Sequence, residues 1–349
     1  MPPLNAPQMI FHPGNCLNNL KPFSRPCQLC IQYCPHEAID GSRNIDRSKC
    51  TDCGACMSVC PSDGMLDSGM RAVGEYLLRV GAPALHCPAA QPVGLEIPCI
   101  GVLDRDAWIA LLLLAERRDV RVLTGDCGLC DDRQACAVSV TALQNVTADW
   151  GAPLKVKIEI RPDTGAAPDA EEAARSAPPP PPAKARGLKA LRAAGRQKMK
   201  EMIPGVAAAE VTAVNETRRW LINVLAEDKE RRAPYLGVRI GDACTDCCVC
   251  AKICPRGALS ITQREGKVVH VYESARCMQC RRCEEICGPQ TLKLDTVYLT
   301  YKYLTGKILL REGVPRYCAK CGVPIYHHKE PGLCLSCAAK DPALKGVLY

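Results

Sequence analysis

The side chains with the richest chemistry in this sequence are its 26 cysteines, spread over 349 residues. The chain has only 2 Phe, 3 Trp and 10 Tyr. Disulfides or metals bound by the thiols must therefore supply stability that aromatic cores usually provide. Residues 1–15 show neither the basic segment nor the apolar run of a signal peptide, so we expect a cytoplasmic protein. Thiols in a reducing compartment bind metals more often than they form disulfides. The cysteines therefore predict metal or iron–sulfur centres.

Eight cysteines between residues 244 and 287 form two runs of the same spacing, C-x2-C-x2-C-x3-C. Both runs, together with the sequence PRGAL after Cys254, resemble bacterial two-cluster ferredoxins. The resemblance implies two [4Fe–4S] clusters, each held by three thiolates of one run and the fourth of the other. The implied ligands are Cys244, Cys247, Cys250 and Cys287 for one cluster and Cys277, Cys280, Cys283 and Cys254 for the other. Cys248 is surplus, and we interpret it as a small buried hydrophobe.

The cysteines between residues 16 and 60 repeat this pattern with one alteration. The run from Cys50 to Cys60 is complete, but the preceding run has Ser24 where its first cysteine is expected. Cys16 is the upstream candidate, because closing a ten-residue loop has a modest entropic cost. The implied ligands are Cys16, Cys27, Cys30 and Cys60 for one cluster and Cys50, Cys53, Cys56 and Cys34 for the other. If Cys16 is not a ligand, that site is a [3Fe–4S] centre or takes a ligand other than cysteine.

The last four cysteines have the spacing C-x2-C-x12-C-x2-C and resemble a zinc ribbon. Two such knuckles place four thiolates around a closed structural Zn²⁺ site. The predicted ligands are Cys318, Cys321, Cys334 and Cys337. Iron of the rubredoxin type in the same geometry, or four thiols without metal, are the alternatives. His327 and His328 are interpreted as solvated loop residues, because four cysteines already complete the site.

Residues 83–160 show a different pattern, in which short strands alternate with a helix over residues 104–118. We predict strands at 83–86, 95–98, 119–124 and 154–160, which is typical of a small α/β unit with a parallel sheet. Since the carboxyl ends of parallel strands meet at one edge, the cysteines after the first three strands should converge there. They predict a fifth iron–sulfur site, most simply Cys87, Cys99 and Cys127 with either Cys130 or Cys136. Five reduced cysteines without a cluster are the alternative.

This middle segment also loosely resembles the delta subunit of methyl-viologen-reducing hydrogenase, over about seventy residues. The resemblance rests on the run from Ile97 to Cys130, IPCIGVLDRDAWIALLLLAERRDVRVLTGDCGLC. It implies a small α/β module with a [2Fe–2S] centre that passes electrons to a partner. The cluster type in this chain is left open by the sequence.

Together these patterns predict an α+β multidomain chain. Two 2[4Fe–4S] ferredoxin-like domains flank a small α/β parallel-sheet domain, and a zinc ribbon follows. The predicted boundaries are 1–75 for the first two-cluster domain, 76–160 for the α/β domain, 161–187 for a Pro/Ala-rich linker, 188–235 for a helical segment, 236–300 for the second two-cluster domain and 301–349 for the ribbon.

The charge of the chain and the motifs it lacks narrow the classes of function. Its formal charge is +8, but each four-thiolate [4Fe–4S] centre carries about −2, so the loaded protein should be near neutral and is not expected to bind nucleic acid. The longest apolar run, residues 108–115, is far shorter than the ~18 residues of a membrane span. No dinucleotide fingerprint, P-loop, Ser-His-Asp triad or HExxH motif is present.

Many clusters without a substrate motif predict an electron-transfer subunit of a multi-subunit oxidoreductase, and the sequence leaves open whether the chain is itself an enzyme. The resemblances imply catalytic partners such as a pterin-containing formate dehydrogenase, a hydrogenase or a flavoprotein. A hetero-oligomer is therefore expected. Two alternatives stay open: an iron–sulfur accessory or maturation factor, and a heterodisulfide-reductase-like subunit whose middle cluster is catalytic.

Overall fold

The computed structural model describes residues 9–21, 23–67, 69–150, 156–178, 214–325 and 332–340. The chain divides into two compact units, and both mix helix and sheet. One comprises Met1–Pro234 with Tyr298–Lys302, and the other Tyr235–Val297 with Tyr303–Tyr349. Within the described ranges, no helix is long and apolar enough to span a membrane. Residues 188–213 of the predicted helical segment and both loop histidines lie outside these ranges.

The first unit contains an N-terminal cysteine-rich part and a helix-covered parallel sheet. Its strands are β1 (Met9–Phe11), β2 (Met65–Asp67), β3 (Ala84–His86), β4 (Leu95–Glu96), β5 (Arg121–Thr124) and β6 (Lys157–Ile160). Its helices are α1 (Leu17–Leu20), α2 (Leu29–Gln32), α3 (Ala55–Ser58), α4 (Met70–Arg79), α5 (Arg105–Ala115), α6 (Arg133–Trp150), α7 (Ala170–Ser176) and α8 (Glu216–Glu227).

The N-terminal part contains very little regular structure between its cysteines. Strands β1 and β2 pair antiparallel, and a single bridge joins Ile39 to Ile45. Helices α1, α2 and α3 have only four residues each, and each lies within or next to a cysteine run. Such short elements cannot bury a large core, so we expect groups bound by the cysteines to contribute to the stability of this part.

The middle part is a four-stranded sheet in the order β4-β3-β5-β6, with every pair parallel. Its four strands lie within the predicted segments, and residues 154 and 155 of the last segment are outside the described ranges. Helix α5 carries the apolar run and is buried along almost its whole length, between α6 and α8. The Asp104 carboxylate caps it by accepting the Ala107 N–H at 2.8 Å. Trp108 donates its indole N–H to Ser139 Oγ at 2.9 Å.

Residues 161–178, predicted as the start of an extended linker, instead pack on this sheet. Pro162 forms a bridge with Ala90, and α7 follows. The Glu172 carboxylate accepts hydrogen bonds from Arg121 and Arg161, and the Tyr76 hydroxyl donates to the Ser176 carbonyl at 2.8 Å. The composition of this segment is typical of a linker, but the ion pairs of the largely buried Glu172 with Arg121 and Arg161 attach it to the sheet. Composition alone does not show such pairs. The rest of the predicted linker lies outside the described ranges.

The described part of the second unit contains small two- and three-stranded sheets and the C-terminal cysteine knuckles. The strands that lie wholly or partly in it are β7 (Ala233–Ile240), β8 (Leu259–Arg264), β9 (Lys267–Glu273), β10 (Leu292–Leu299), β11 (Lys307–Gly313), β12 (Arg316–Tyr317) and β13 (Pro324–Ile325). The helices that lie wholly or partly in it are α9 (Val249–Ile253), α10 (Arg282–Glu285), α11 (Tyr301–Thr305) and α12 (Leu335–Ala339). Strand β7 pairs with β10, and β9 lies between β11 and β8. A small core around Tyr272 and Leu292 packs against several of the cysteines.

Candidate metal centres

The three C-x2-C-x2-C loops share one backbone conformation. The residues on either side of the middle cysteine have positive φ: Asp52 (54°) and Gly54 (77°), Asp246 (55°) and Cys248 (62°), and Gln279 (55°) and Arg281 (57°). Left-handed residues at alternate positions turn successive backbone N–H groups to one side, which favours bound anionic groups. The Gln279 N–H lies 3.4 Å from Cys277 Sγ.

Cys248 occupies the loop position that Gly54 takes in the N-terminal repeat. Its side chain is only half-buried, so the interpretation of Cys248 as a buried hydrophobe is wrong.

A second shared feature is the turn after the last cysteine of each run. The third residue after that cysteine is left-handed in every case: Glu37 (49°), Asp63 (54°), Gly257 (63°) and Gln290 (55°). Because of this turn, the backbone N–H of the following residue donates a hydrogen bond to the sulfur. The distances are 3.3 Å from Ala38 N to Cys34 Sγ, 3.2 Å from Gly64 N to Cys60 Sγ and 3.2 Å from Ala258 N to Cys254 Sγ. After Cys287, where glycine replaces proline, the Thr291 hydroxyl lies 3.9 Å from the sulfur.

Two of the predicted ligand sets each line a cavity. One cavity is lined by Cys34, Cys50, Cys53 and Cys56, and the other by Cys254, Cys277, Cys280 and Cys283. Each cavity thus brings together three cysteines of one run and the last cysteine of the other. This is the crossover that the ferredoxin resemblance implies.

The other two sets converge as well. The pKa of Cys30 is raised to about 11, by burial first and also by the charges of Cys60, Cys27 and Cys16. In the second unit, burial raises the pKa of Cys250 to about 12, with Cys244, Cys247 and Cys287 adding to the shift. These electrostatic neighbours are the members of the two remaining predicted sets.

Cys16 reaches its set through the short helix α1. Asn18, in that helix, clamps the backbone of Cys27: its Oδ1 accepts the Cys27 N–H at 2.7 Å and its Nδ2 donates to the Cys27 carbonyl at 2.9 Å. Cys16 itself is buried, and a Cβ on Gly64 would lie 3.2 Å from its Cα and 3.5 Å from Cys60 Sγ. The long loop before Cys27 is therefore closed by an internal clamp, and Cys16 lies beside Cys60.

The chemistry of these donors fits iron–sulfur clusters. Burial raises the pKa of Cys53 and of Cys280 to about 11, and that of Cys56 and Cys283 higher still, with neighbouring thiols adding to the effect in each of the four. Four crowded thiols cannot all ionise unless a cation compensates their charge. Iron in a cluster supplies that compensation when bound, and the N–H groups described above donate to the sulfurs.

Comparison with known protein families agrees with this geometry. Residues 43–64 match the model of the 4Fe-4S binding domain, a segment that contains Cys50, Cys53, Cys56 and Cys60. Together with the clustered cysteines, this supports an iron–sulfur protein. Comparison with curated proteins gave no match.

The middle site lies at the carboxyl edge of the parallel sheet. Cys87 directly follows β3, while Cys99 and Cys127 lie three residues beyond β4 and β5. The pKa of the Cys136 thiol, in the first turn of α6, is raised by burial, by a hydrogen bond with Cys127 and by the charges of Cys130 and Cys87. The structure thus brings Cys87, Cys127, Cys130 and Cys136 together.

Cys99 has different surroundings within this region. It is buried, and its Sγ accepts the Gly101 N–H at 3.3 Å. Burial raises its pKa to about 12, and its charged neighbours, largest effect first, are Cys53, Asp132 and Cys136. Cys99 therefore lies on the side of the middle site that faces Cys53 of the N-terminal part.

The C-terminal knuckles form the tightest group of thiols. Among the described residues, Cys318, Cys321, Cys334 and Cys337 are the one set of four cysteines whose sulfurs all lie within 4.8 Å of one another. Cys321 Sγ and Cys334 Sγ are 3.6 Å apart. With metal–sulfur bonds of about 2.3 Å, a tetrahedral ion needs its sulfurs at about this separation. The donor set fits a single tetrahedral ion.

Sequence reasoning missed two acidic residues beside the predicted ligands. Asp246, in the loop after Cys244, accepts a hydrogen bond from Nε2 of the buried His270 at 2.6 Å and lies 3.5 Å from Arg311 Nε. Asp132 accepts a hydrogen bond from His36 at 2.7 Å. The sequence contained a pattern that could have pointed to Asp246, because the dipeptide Thr-Asp precedes the middle cysteine in two of the three loops. For Asp132 there was none, because its partner is 96 residues away in the sequence.

Proposed function

We propose that this chain is an iron–sulfur electron-transfer subunit that relays single electrons within a multi-subunit oxidoreductase. The observation that carries the proposal is the repeated cysteine geometry: the same left-handed turn follows the last cysteine of all four runs, and in three of them the next N–H donates to the sulfur of that cysteine. Each set fits a [4Fe–4S] cluster, whose iron changes oxidation state by one electron. No bond needs to form or break in the transfer.

The two sets within each repeat are close enough to affect each other. Cys30 of one set contributes to the raised pKa of Cys56 of the other, and Cys250 contributes in the same way to Cys283. Neighbouring centres are what a relay requires, because each electron must pass from one to the next. A single storage site would need only one of them.

The proposed partners are catalytic subunits of the pterin, hydrogenase or flavin type. Anaerobic purification of the tagged chain from its source, followed by mass spectrometry of co-eluting proteins, tests this part of the proposal. We expect a redox subunit at a fixed ratio to this chain. A chain that elutes alone, or that captures only metal-free enzymes, would overturn the relay and favour a maturation factor.

The middle site is proposed to hold a further iron–sulfur centre bound by Cys87, Cys127, Cys130 and Cys136. On this assignment Cys99, which the sequence grouped with Cys87 and Cys127, is a buried neighbour of the centre that does not bind iron. Whether the centre is [2Fe–2S] or [4Fe–4S] decides how much iron the site adds, either about two or about four atoms.

The matched variants Cys136→Ser and Cys99→Ser test this assignment. We expect Cys136→Ser to lose the iron of the middle centre, about two to four atoms per chain, because it removes a ligand. Cys99→Ser should keep the wild-type iron content. Colorimetric iron analysis of the anaerobically reconstituted proteins gives the answer. Iron loss in Cys99→Ser but not in Cys136→Ser would contradict the assignment.

The C-terminal site is proposed to hold a structural zinc ion. Cys334→Ser is expected to lose about one zinc per chain and leave the iron content unchanged, because three thiolates remain and the site is no longer closed. Elemental analysis by mass spectrometry measures both metals in one sample. Iron in place of zinc in the wild-type ribbon, or full zinc retention by Cys334→Ser, would show that this proposal is wrong.

A further inference from the structure

The middle site and one ferredoxin-like cysteine set are in direct backbone contact. Gly101, in the short 3-10 helix Ile100–Val102, lies so close to its neighbours that a Cβ there would be 2.8 Å from Ala135 Cβ and 3.0 Å from the Cys53 carbonyl oxygen. A Cβ on Gly54 would in turn be 2.1 Å from Val102 Cγ1. The loop that carries Cys53 is therefore packed against the segments that carry Cys99 and Cys136.

Asp132 lies at this contact and is connected to both sides. Its backbone N–H is 3.4 Å from Cys130 Sγ on the middle-site side. Its Oδ1 accepts hydrogen bonds from His36 Nε2 and from Thr51 Oγ1, both at 2.7 Å, on the ferredoxin-like side. Only a fifth of the side chain is exposed.

The position of the Asp132 carboxylate is fixed by its two hydrogen-bond donors, His36 and Thr51. His36 and Thr51 belong to the turn after Cys34 and to the loop after Cys50, and both lie on the wall of the cavity that these cysteines line. The carboxylate is thus fixed in place by the surroundings of one site while its own backbone belongs to the other.

We propose that Asp132 is a shared potential-setting residue, which couples the centre bound by Cys34, Cys50, Cys53 and Cys56 to the middle centre. The inference rests on the proposed electron-transfer function and specifies its route. An electron leaves the reduced ferredoxin-like centre, which is oxidised by one unit, and the middle centre is reduced by one unit. No proton moves and no bond changes. The set that contains Cys16 is then one step further from the middle centre.

A fixed negative charge beside a centre disfavours its reduction. One unit charge at about 10 Å in a medium of effective dielectric about 20 changes a one-electron equilibrium by about tenfold, or about 59 mV. Removing the Asp132 charge should therefore raise the midpoint potentials of both centres together. A residue that only stabilised one domain would not shift two potentials in the same direction.

The experiment is a potentiometric titration of the anaerobically reconstituted full chain, followed by electron paramagnetic resonance. The signals of the two centres are assigned from their loss in Cys53→Ser and Cys136→Ser. We expect Asp132→Asn to raise the midpoint potentials of both centres. At a given potential, the ratio of reduced to oxidised centre should increase by about tenfold. Asp132→Glu, which keeps the charge, should stay closer to wild type, and so should the matched control Asp131→Asn, which removes an exposed neighbouring charge.

Two results would overturn the inference while leaving the proposed function intact. One is a shift in only one of the two centres, and the other is an equal shift in Asp131→Asn. Failure of the proposed function is recognised separately, because the wild-type protein would then show no reversible one-electron reduction at these sites.

Discussion

Replacing Cys247 with serine is expected to remove one entire cluster, about four iron and four sulfide per chain. Cys247 is the middle proposed ligand of its loop and lies between two residues in the left-handed conformation. Serine keeps the size of the side chain but is a poor ligand for iron, because the soft thiolate is what the cluster selects. Iron and acid-labile sulfide analysis of the anaerobically reconstituted variant measures the loss.

The adjacent Cys248 supplies the control for this prediction. Its thiol donates to the Asp246 carbonyl at 3.3 Å, and its position is the one that Gly54 takes in the N-terminal repeat. Cys248→Ser should keep the full iron and sulfide content. Since the two variants differ by one position in the same loop, a general loss of stability would affect both. Equal iron loss in the two variants, or loss in Cys248→Ser alone, would contradict the ligand assignment.

Replacing Cys16 with serine is expected to damage the cluster that also contains Cys27, Cys30 and Cys60. Three thiolates would remain, so the site should either lose its cluster or keep a three-iron centre. The iron content then falls by between about one and about four atoms per chain. The buried position of Cys16 beside Cys60 is the structural reason for this expectation.

Iron analysis and electron paramagnetic resonance of the oxidised protein measure the outcome, since a three-iron centre gives a signal in that state. Cys248→Ser again serves as the comparison, because it removes a half-buried thiol elsewhere. Full iron content without a three-iron signal in Cys16→Ser would show that the fourth ligand lies elsewhere in the chain.

Much of the candidate site could be predicted from the sequence, because cysteine spacing is a local signal. The runs around Cys50 and Cys244 determine which thiols share a loop, and the structure shows the same loop conformation in each. The strands of the parallel sheet were also readable, since their short apolar runs are bounded by turn residues. The cap of α5 by Asp104 follows from the same local reasoning.

What the sequence could not predict is contact between distant segments. Cys99 follows a strand just as Cys87 and Cys127 do, yet the packing of the 3-10 helix after it turns it toward Cys53. The contact of Asp132 with His36 and the anchor of Glu172 on Arg121 likewise join segments that are far apart along the chain. Polar pairs of this kind have no periodicity, so only the folded chain reveals them.

The central claim is that this chain carries several centres that each pass one electron. Reductive titration of the anaerobically purified protein, with electrons and iron counted per chain, tests it most directly. The account predicts reversible uptake of at least about four electrons, one for each [4Fe–4S] centre, with about 18 to 20 iron atoms once the middle centre is included. Uptake of fewer than about four electrons by protein with that iron content would contradict the account.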